Sequence, residues 1–94
     1  KMVNMHGLMF SKSEPNVDTA NHRIRFWAYD RSMEVAFFVD MDALLKLRPH
    51  TANSEADFLR TFDETREQIH SVAQDVYKRR HNGSHTYFLA ARDF

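Results

Sequence analysis

The sequence predicts a two-layer α+β fold, a mainly antiparallel sheet with one long amphipathic helix packed on one face, in the order β-β-β-α-α-β. Three observations carry this. Two adjacent segments alternate apolar and polar residues with period two, over 22–29 (HRIRFWAY) and 33–39 (MEVAFFV). A later stretch places Phe58, Leu59, Phe62, Ile69, Val72, Ala73 and Val76 at helical spacings of three and four. The chain then ends on a further β-like segment, Thr86 to Ala91 (TYFLAA).

The two alternating segments read as a hairpin. In the first, Ile24, Phe26 and Ala28 share a face, against Arg23, Arg25, Trp27 and Tyr29. In the second, Met33, Val35, Phe37 and Val39 oppose Glu34, Ala36 and Phe38. One apolar set is even-numbered and the other odd. An antiparallel pair therefore brings both to one face only if paired residue numbers have an odd sum, which requires an even loop. A loop centred on Asp30-Arg31 gives Ala28 opposite Met33, Phe26 opposite Val35 and Ile24 opposite Phe37, and sets Glu34 opposite Trp27.

The remaining elements follow from caps and breakers. Gly7 to Phe10 is a short apolar edge strand, and the polar, proline-containing stretch 11–21 reads as a loop. Asp40 can cap a short helix over Met41–Leu47, which Pro49 must terminate. Asn53 or Ser54 caps the next helix, with Asp57 completing a capping-box-like pattern. Arg60–Glu64 and Asp75–Arg79 are spaced as i,i+4 ion pairs, and Asn82-Gly83 is a natural stop. A straight helix over 54–80 would run ~40 Å at 1.5 Å per residue. A compact chain of this size is roughly 32 Å across. The helix must then overhang, break, or be covered by a second copy, which makes a homodimer an expectation.

Ninety-four residues form one domain, 1–94, and 43% hydrophobic residues are ample for one core. Residues 1–6 are expected to be disordered or foreign to the natural chain, with Met2 or Met5 as its start. Thirteen basic and thirteen acidic residues cancel, so net charge offers no argument for nucleic acid or a membrane. There is no cysteine, which excludes disulfides, thiolate metal sites and cysteine nucleophiles and fits a reducing compartment. Neither a signal-peptide core nor an apolar run of membrane-spanning length is present. The expected location is the cytoplasm.

Few residues suggest chemistry. The outward hairpin residues Arg23, Arg25, Trp27 and Phe38 combine cations and aromatics, the ingredients of a single-stranded nucleic-acid platform. The competing and favoured reading has the aromatics covered by the N-terminal segment or a partner, with arginines capping their rings. Lys78, Arg79 and Arg80, with His81, form a short basic run that a helix C-terminus explains by its dipole. Arg66 falls beside the apolar stripe, either as an anion ligand or, as favoured, snorkelling to the surface or paired with an acidic residue such as Asp40, Asp42 or Asp93. His81 and His85 straddle a turn and do not converge, so neither a metal nor any other cofactor is expected. Two glycines, Gly7 and Gly83, leave no phosphate-cradling loop, and no catalytic constellation is recognisable.

Three blocks of residues resemble a known family. They are Arg25-Phe26-Trp27 leading into Glu34-Val35 and Phe37-Phe38-Val39; Phe62-Asp63 with Arg66, Ile69, Ala73 and Val76-Tyr77; and the ending Phe88-Leu89-Ala90-Ala91-Arg92-Asp93-Phe94. Over residues 20–94 the chain is similar to the short bacterial proteins called domain of unknown function 1488, found mainly in proteobacteria, and particularly to rhizobial-type members. The resemblance implies a stand-alone bacterial α+β protein with no established activity, cofactor or catalytic residues. Many relatives carry a cysteine in the second strand where this chain has none, which speaks against redox chemistry.

The expectation is a non-enzymatic interaction or regulatory module that binds itself or another protein through the outer sheet face or the helix end. The alternative is a nucleic-acid accessory protein using Arg23, Arg25, Trp27 and the basic run.

Overall fold

The protein is described from a computed structural model, which places residues 7–80 and 83–94. Five strands form one mixed sheet: β1 (Met9–Phe10), β2 (Asn16–Asp18), β3 (Arg23–Asp30), β4 (Met33–Asp40) and β5 (Thr86–Leu89). Three helices, α1 (Met41–Leu47), α2 (Glu55–Glu64) and α3 (Arg66–Arg80), separate β4 from β5. The lateral order is β1-β3-β4-β5, with β2 sharing the outer edge of β3 with β1. All pairs are antiparallel except β4–β5, which is parallel. The fold is therefore α+β on a mostly antiparallel sheet, and the helical segment between β4 and β5 is the long crossover that a parallel pair needs.

The hairpin has the parity that alternation requires, in a register shifted by two residues. Ile24 pairs with Val39, Phe26 with Phe37, Ala28 with Val35 and Asp30 with Met33, around a two-residue loop, Arg31-Ser32. The expected pairing of Phe26 with Val35 is thus corrected, and Trp27 faces Ala36 while Glu34 faces Tyr29. The tight turn is closed by Arg31 at φ 61°. A positive φ at the first loop position is what joins strands of native twist through two residues, and it is ordinarily a glycine's place.

The stretch expected to be a loop over 11–21 contains β2, followed by a 3-10 turn over Thr19–Asn21. Its three strand residues, Asn16, Val17 and Asp18, are too short and polar to show a period. The last strand stops at Leu89 rather than Ala91, and a second 3-10 turn covers Ala91–Asp93.

The inner face of the sheet is the core. Ile24, Phe26, Ala28, Val35, Phe37, Val39, Tyr87 and Leu89 pack against Phe58, Phe62, Ile69, Ala73, Val76 and Tyr77 of the helices. Phe26 and Phe37 stack at 5.3 Å, and Phe62 meets Phe26 edge-on at 5.3 Å, a favoured arrangement of aromatic quadrupoles. Tyr77 spans the layers: its hydroxyl donates to Asp30 Oδ2 at 2.5 Å. Burial, together with that carboxylate, raises the phenol's pKa.

The expected single helix bends at Thr65. Thr65 Oγ1 donates to the Thr61 carbonyl at 2.7 Å, while Thr65 N–H donates to the same oxygen at 3.0 Å. A threonine bonding back to the carbonyl four residues earlier is a recognised cause of helix bending. The helix is thus broken into α2 and α3, and the molecule extends 41 Å along its longest axis. At the start of α2, Ser54 Oγ accepts from Asp57 N–H at 3.2 Å, the expected cap. Asp40 precedes α1 as its cap residue but makes no side-chain cap bond. The expected Asn82 stop and His81 lie outside the described residues.

Candidate interaction surface

The helices cover one face of the sheet only, and the other follows from the same alternation. Across β3, β4 and β5 it shows Arg23 beside Asp40, Arg25 beside Phe38 and Phe88, Trp27 beside Ala36 and Thr86, and Tyr29 beside Glu34. On the β1/β2 edge, Asn16 lies next to Arg25, Asp18 next to Arg23, and Met9 next to Tyr29. Arg23, Arg25, Trp27 and Phe38, predicted to share a surface, do share one.

Arginines and aromatics interleave there. The Arg23 guanidinium lies 4.0 Å from the Phe38 ring centre and 5.5 Å from that of Phe88, and Phe38 and Phe88 stack at 5.4 Å. Arg25 lies 5.0 Å from the Trp27 ring and 5.7 Å from Phe38. Each contact of this kind is worth about 0.5–1 kcal/mol at an exposed site. Arg23 is also held from the edge: its Nε donates to Asp18 Oδ2 at 2.9 Å, and Asn21 Nδ2 donates to the same oxygen at 3.0 Å. The Asn21 amide first, then Arg23, holds the Asp18 carboxyl below its ordinary pKa. Arg25, Glu34 and Asp40 have no ion-pair partner among the described residues.

The face is apolar as well as charged. Among the described residues the exposed large hydrophobic side chains are Met9 (74% exposed), Tyr29 (38%) and Phe88 (54%), and all three belong to it. Sequence reasoning singled out none of these as a site residue. The signal existed for Phe88: if Tyr87 and Leu89 point inward, it must point outward.

The other candidates do not join this surface. Arg66 opens α3, where it donates to Asp63 Oδ1 at 3.1 Å and lies 5.2 Å from the Phe62 ring. Its partner is therefore one turn back, not Asp40, Asp42 or Asp93, because the side chain lies along its own helix. Arg79 pairs with Asp75 at 3.0 Å as expected, and Arg80 with Asp93 at 3.1 Å. Arg60 bonds Asp57 rather than Glu64, which faces Arg48 at 3.8 Å. The basic run thus contributes Lys78, exposed, as its uncommitted cation among the described residues, and it belongs to the helical layer. Near it, Phe10 stacks on His70 at 3.9 Å, and Leu8 N–H donates to Gln74 Oε1 at 2.8 Å, fastening the N-terminal strand to α3. Burial, with Arg66 nearby, lowers the His70 pKa to about 4. Among the described residues no three His, Asp or Glu side chains form a group able to hold a metal ion, and no helix is long and apolar enough to cross a membrane.

A small mixed sheet with helices on one side and an arginine–aromatic lattice on the other defines the class of protein. The chain belongs to the family described as "Protein of unknown function (DUF1488)", whose profile matches residues 8–89. Its fold is similar to the crystal structure of a protein of unknown function of that family from Shewanella loihica PV-4. The TM-score is 0.79 over 95% of this chain and 96% of that one, at 17% identity, a level at which the likeness concerns the fold alone. No curated protein matches the chain.

Proposed function

We propose that this chain is a non-enzymatic interaction module of the cytoplasm that binds protein through the outer face of its sheet. One observation carries the reading: Met9, Tyr29 and Phe88, the exposed large hydrophobics among the described residues, all lie on that face beside Trp27 and Phe38. Grouped apolar side chains rimmed by charge mark contact surfaces, whereas scattered ones do not. Arginine, tryptophan, tyrosine and methionine are also the residues enriched at protein interfaces.

The test is photo-crosslinking in the native cell, with a photoreactive residue at position 88 and, as control, at position 71 on the exposed side of α3. Protein adducts several-fold more abundant from position 88 are expected. Equal yields from both positions, or none from 88, would remove the reading. A nucleic-acid role is the competing outcome, favoured by Arg25 lying uncommitted over Trp27. Titration with single-stranded RNA while following Trp27 fluorescence should leave the signal flat. Salt-dependent quenching would instead move the assignment to nucleic acid.

A further inference from the structure

We propose that the occupant of the outer sheet face is a second copy of this chain, packed face to face about a two-fold axis that runs parallel to the strands between β3 and β4. The inference rests on the reading of this face as a protein-contact surface and adds the partner and its geometry.

The face is self-complementary. A two-fold contact must match a surface to itself, so each residue meets the one related to it by the axis. With the axis between β3 and β4, every outer residue of β3 lies over its own cross-strand neighbour in the other copy. The register then determines four contacts, each made twice: Arg23 over Asp40, Arg25 over Phe38, Trp27 over Ala36 and Tyr29 over Glu34. These set cation against carboxylate, cation against aromatic ring, the largest side chain against the smallest, and a phenol donor against a carboxylate acceptor. No like charges meet.

The charged groups that would meet are free to do so, while Phe38 already lies under its own Arg23 at 4.0 Å and Ala36 is buried between its neighbours. Asp40 and Glu34 have no ion-pair partner among the described residues, and Arg23 uses only Nε on Asp18, leaving the other guanidinium N–H donors. A shift of the axis by half a strand spacing, onto β4, would forfeit the match. With the axis along β4, Asp40 and Glu34 would each lie over their own copies, and like charge would face like charge.

Size is consistent with a reversible dimer. Eight-residue strands β3 and β4 with the four-residue β5 and the short β1/β2 edge cover roughly 400 Å² per copy at ~3.3 Å per residue and ~4.8 Å between strands. Both copies together would bury roughly 800 Å², the size of a weak, transient contact. The dimer should therefore form and dissociate within accessible concentrations.

Sedimentation of the purified chain from low micromolar to submillimolar concentration should show its mass rising from 11.1 kDa towards twice that value. Ala36→Glu and Phe88→Glu should each weaken association at least tenfold. A spin label on Ser71→Cys, on the exposed side of α3, should report an intermolecular distance of roughly 30 Å or more, since two helical layers then flank two sheets stacked ~10 Å apart. A chain that stays monomeric throughout overturns the inference. So does a dimer indifferent to Phe88→Glu, or one with labels within about 20 Å of each other, the separation of a helix-side contact. Ala36→Glu is counted only if its circular-dichroism melt remains cooperative; Phe88→Glu and the label distance decide without it. A monomer that still gives position-88 adducts to another protein would leave the interaction reading standing, whereas a monomer with none would end both.

Discussion

The two faces of the sheet come from the same strands, yet solve opposite problems. On the inner face, Phe26 and Phe37 stack under Phe62 and are sealed by helices. On the outer face Phe38 and Phe88 stack with nearly the same geometry, but arginines, not helices, lie over them. The inner pair is held by exclusion of water. The outer pair is left half in water, with guanidinium groups that tolerate both environments. Aromatic stacking alone therefore does not distinguish core from contact surface; what covers the rings does.

Truncation separates the faces most sharply. Phe37→Ala, at a position with no exposure, should cost about 3–5 kcal/mol, a large share of the total stability of such a domain. Phe88→Ala on the outer face should stay within about 0.5 kcal/mol in dilute protein, and urea denaturation of the two variants makes the comparison. Comparable losses would mean that the outer stack is part of the core.

Two titrations probe the inner layer from its ends. His70 is neutral in the fold because burial lowers its pKa from 6.5 to about 4. A depressed folded pKa gives stability that is complete above pH 6.5 and is lost as pH falls towards 4, on the order of 1–3 kcal/mol. His70→Phe should flatten that acid limb in denaturation measured from pH 7 to 4. Tyr77 has the opposite sign. Its raised pKa gives stability that is present below pH 10, the ordinary phenol value, and declines above it. Tyr77→Phe should lose about 1.5–3 kcal/mol at pH 7 with its bond to Asp30, and show a shallower decline between pH 9 and 11.

A smaller effect concerns the turn that joins strands β3 and β4. Arg31→Gly should stabilise the protein by about 0.5–1 kcal/mol, because a left-handed backbone costs an L side chain more than glycine's extra freedom costs in the unfolded chain. A thermal melt shifted upward by a few degrees is the expected reading. No shift would mean that the turn relaxes at no cost.

Much of this was legible in the residues, and its limits are physical. The end of helix α1 was readable because Pro49 stops the helix, and its start falls after Asp40 as expected although that side chain makes no cap bond. Strand β2 was not readable, since three residues with a lone valine between two polar ones gain strand geometry only from β3 beside them. The bend at Thr65 left a trace: Thr61 and Thr65 sit on the buried side of an otherwise apolar stripe, where a hydroxyl must find a carbonyl. Arg66 found Asp63 because an arginine reaches any carboxylate within a turn, and spacing does not choose among them.

By itself the sequence determined which side chains share a face. Alternation is a property of neighbouring residues, and the odd parity of the β3–β4 pairing survives any even loop. The tertiary structure alone decided the register, through the positive φ of Arg31, and the placement of β5 parallel to β4. The register sets Trp27 opposite Ala36, and the placement of β5 sets Phe88 beside Phe38. The register depends on a backbone turn that alternation does not specify, and the placement of β5 on contacts between residues far apart in the chain, because no local period encodes which distant strand a segment will meet.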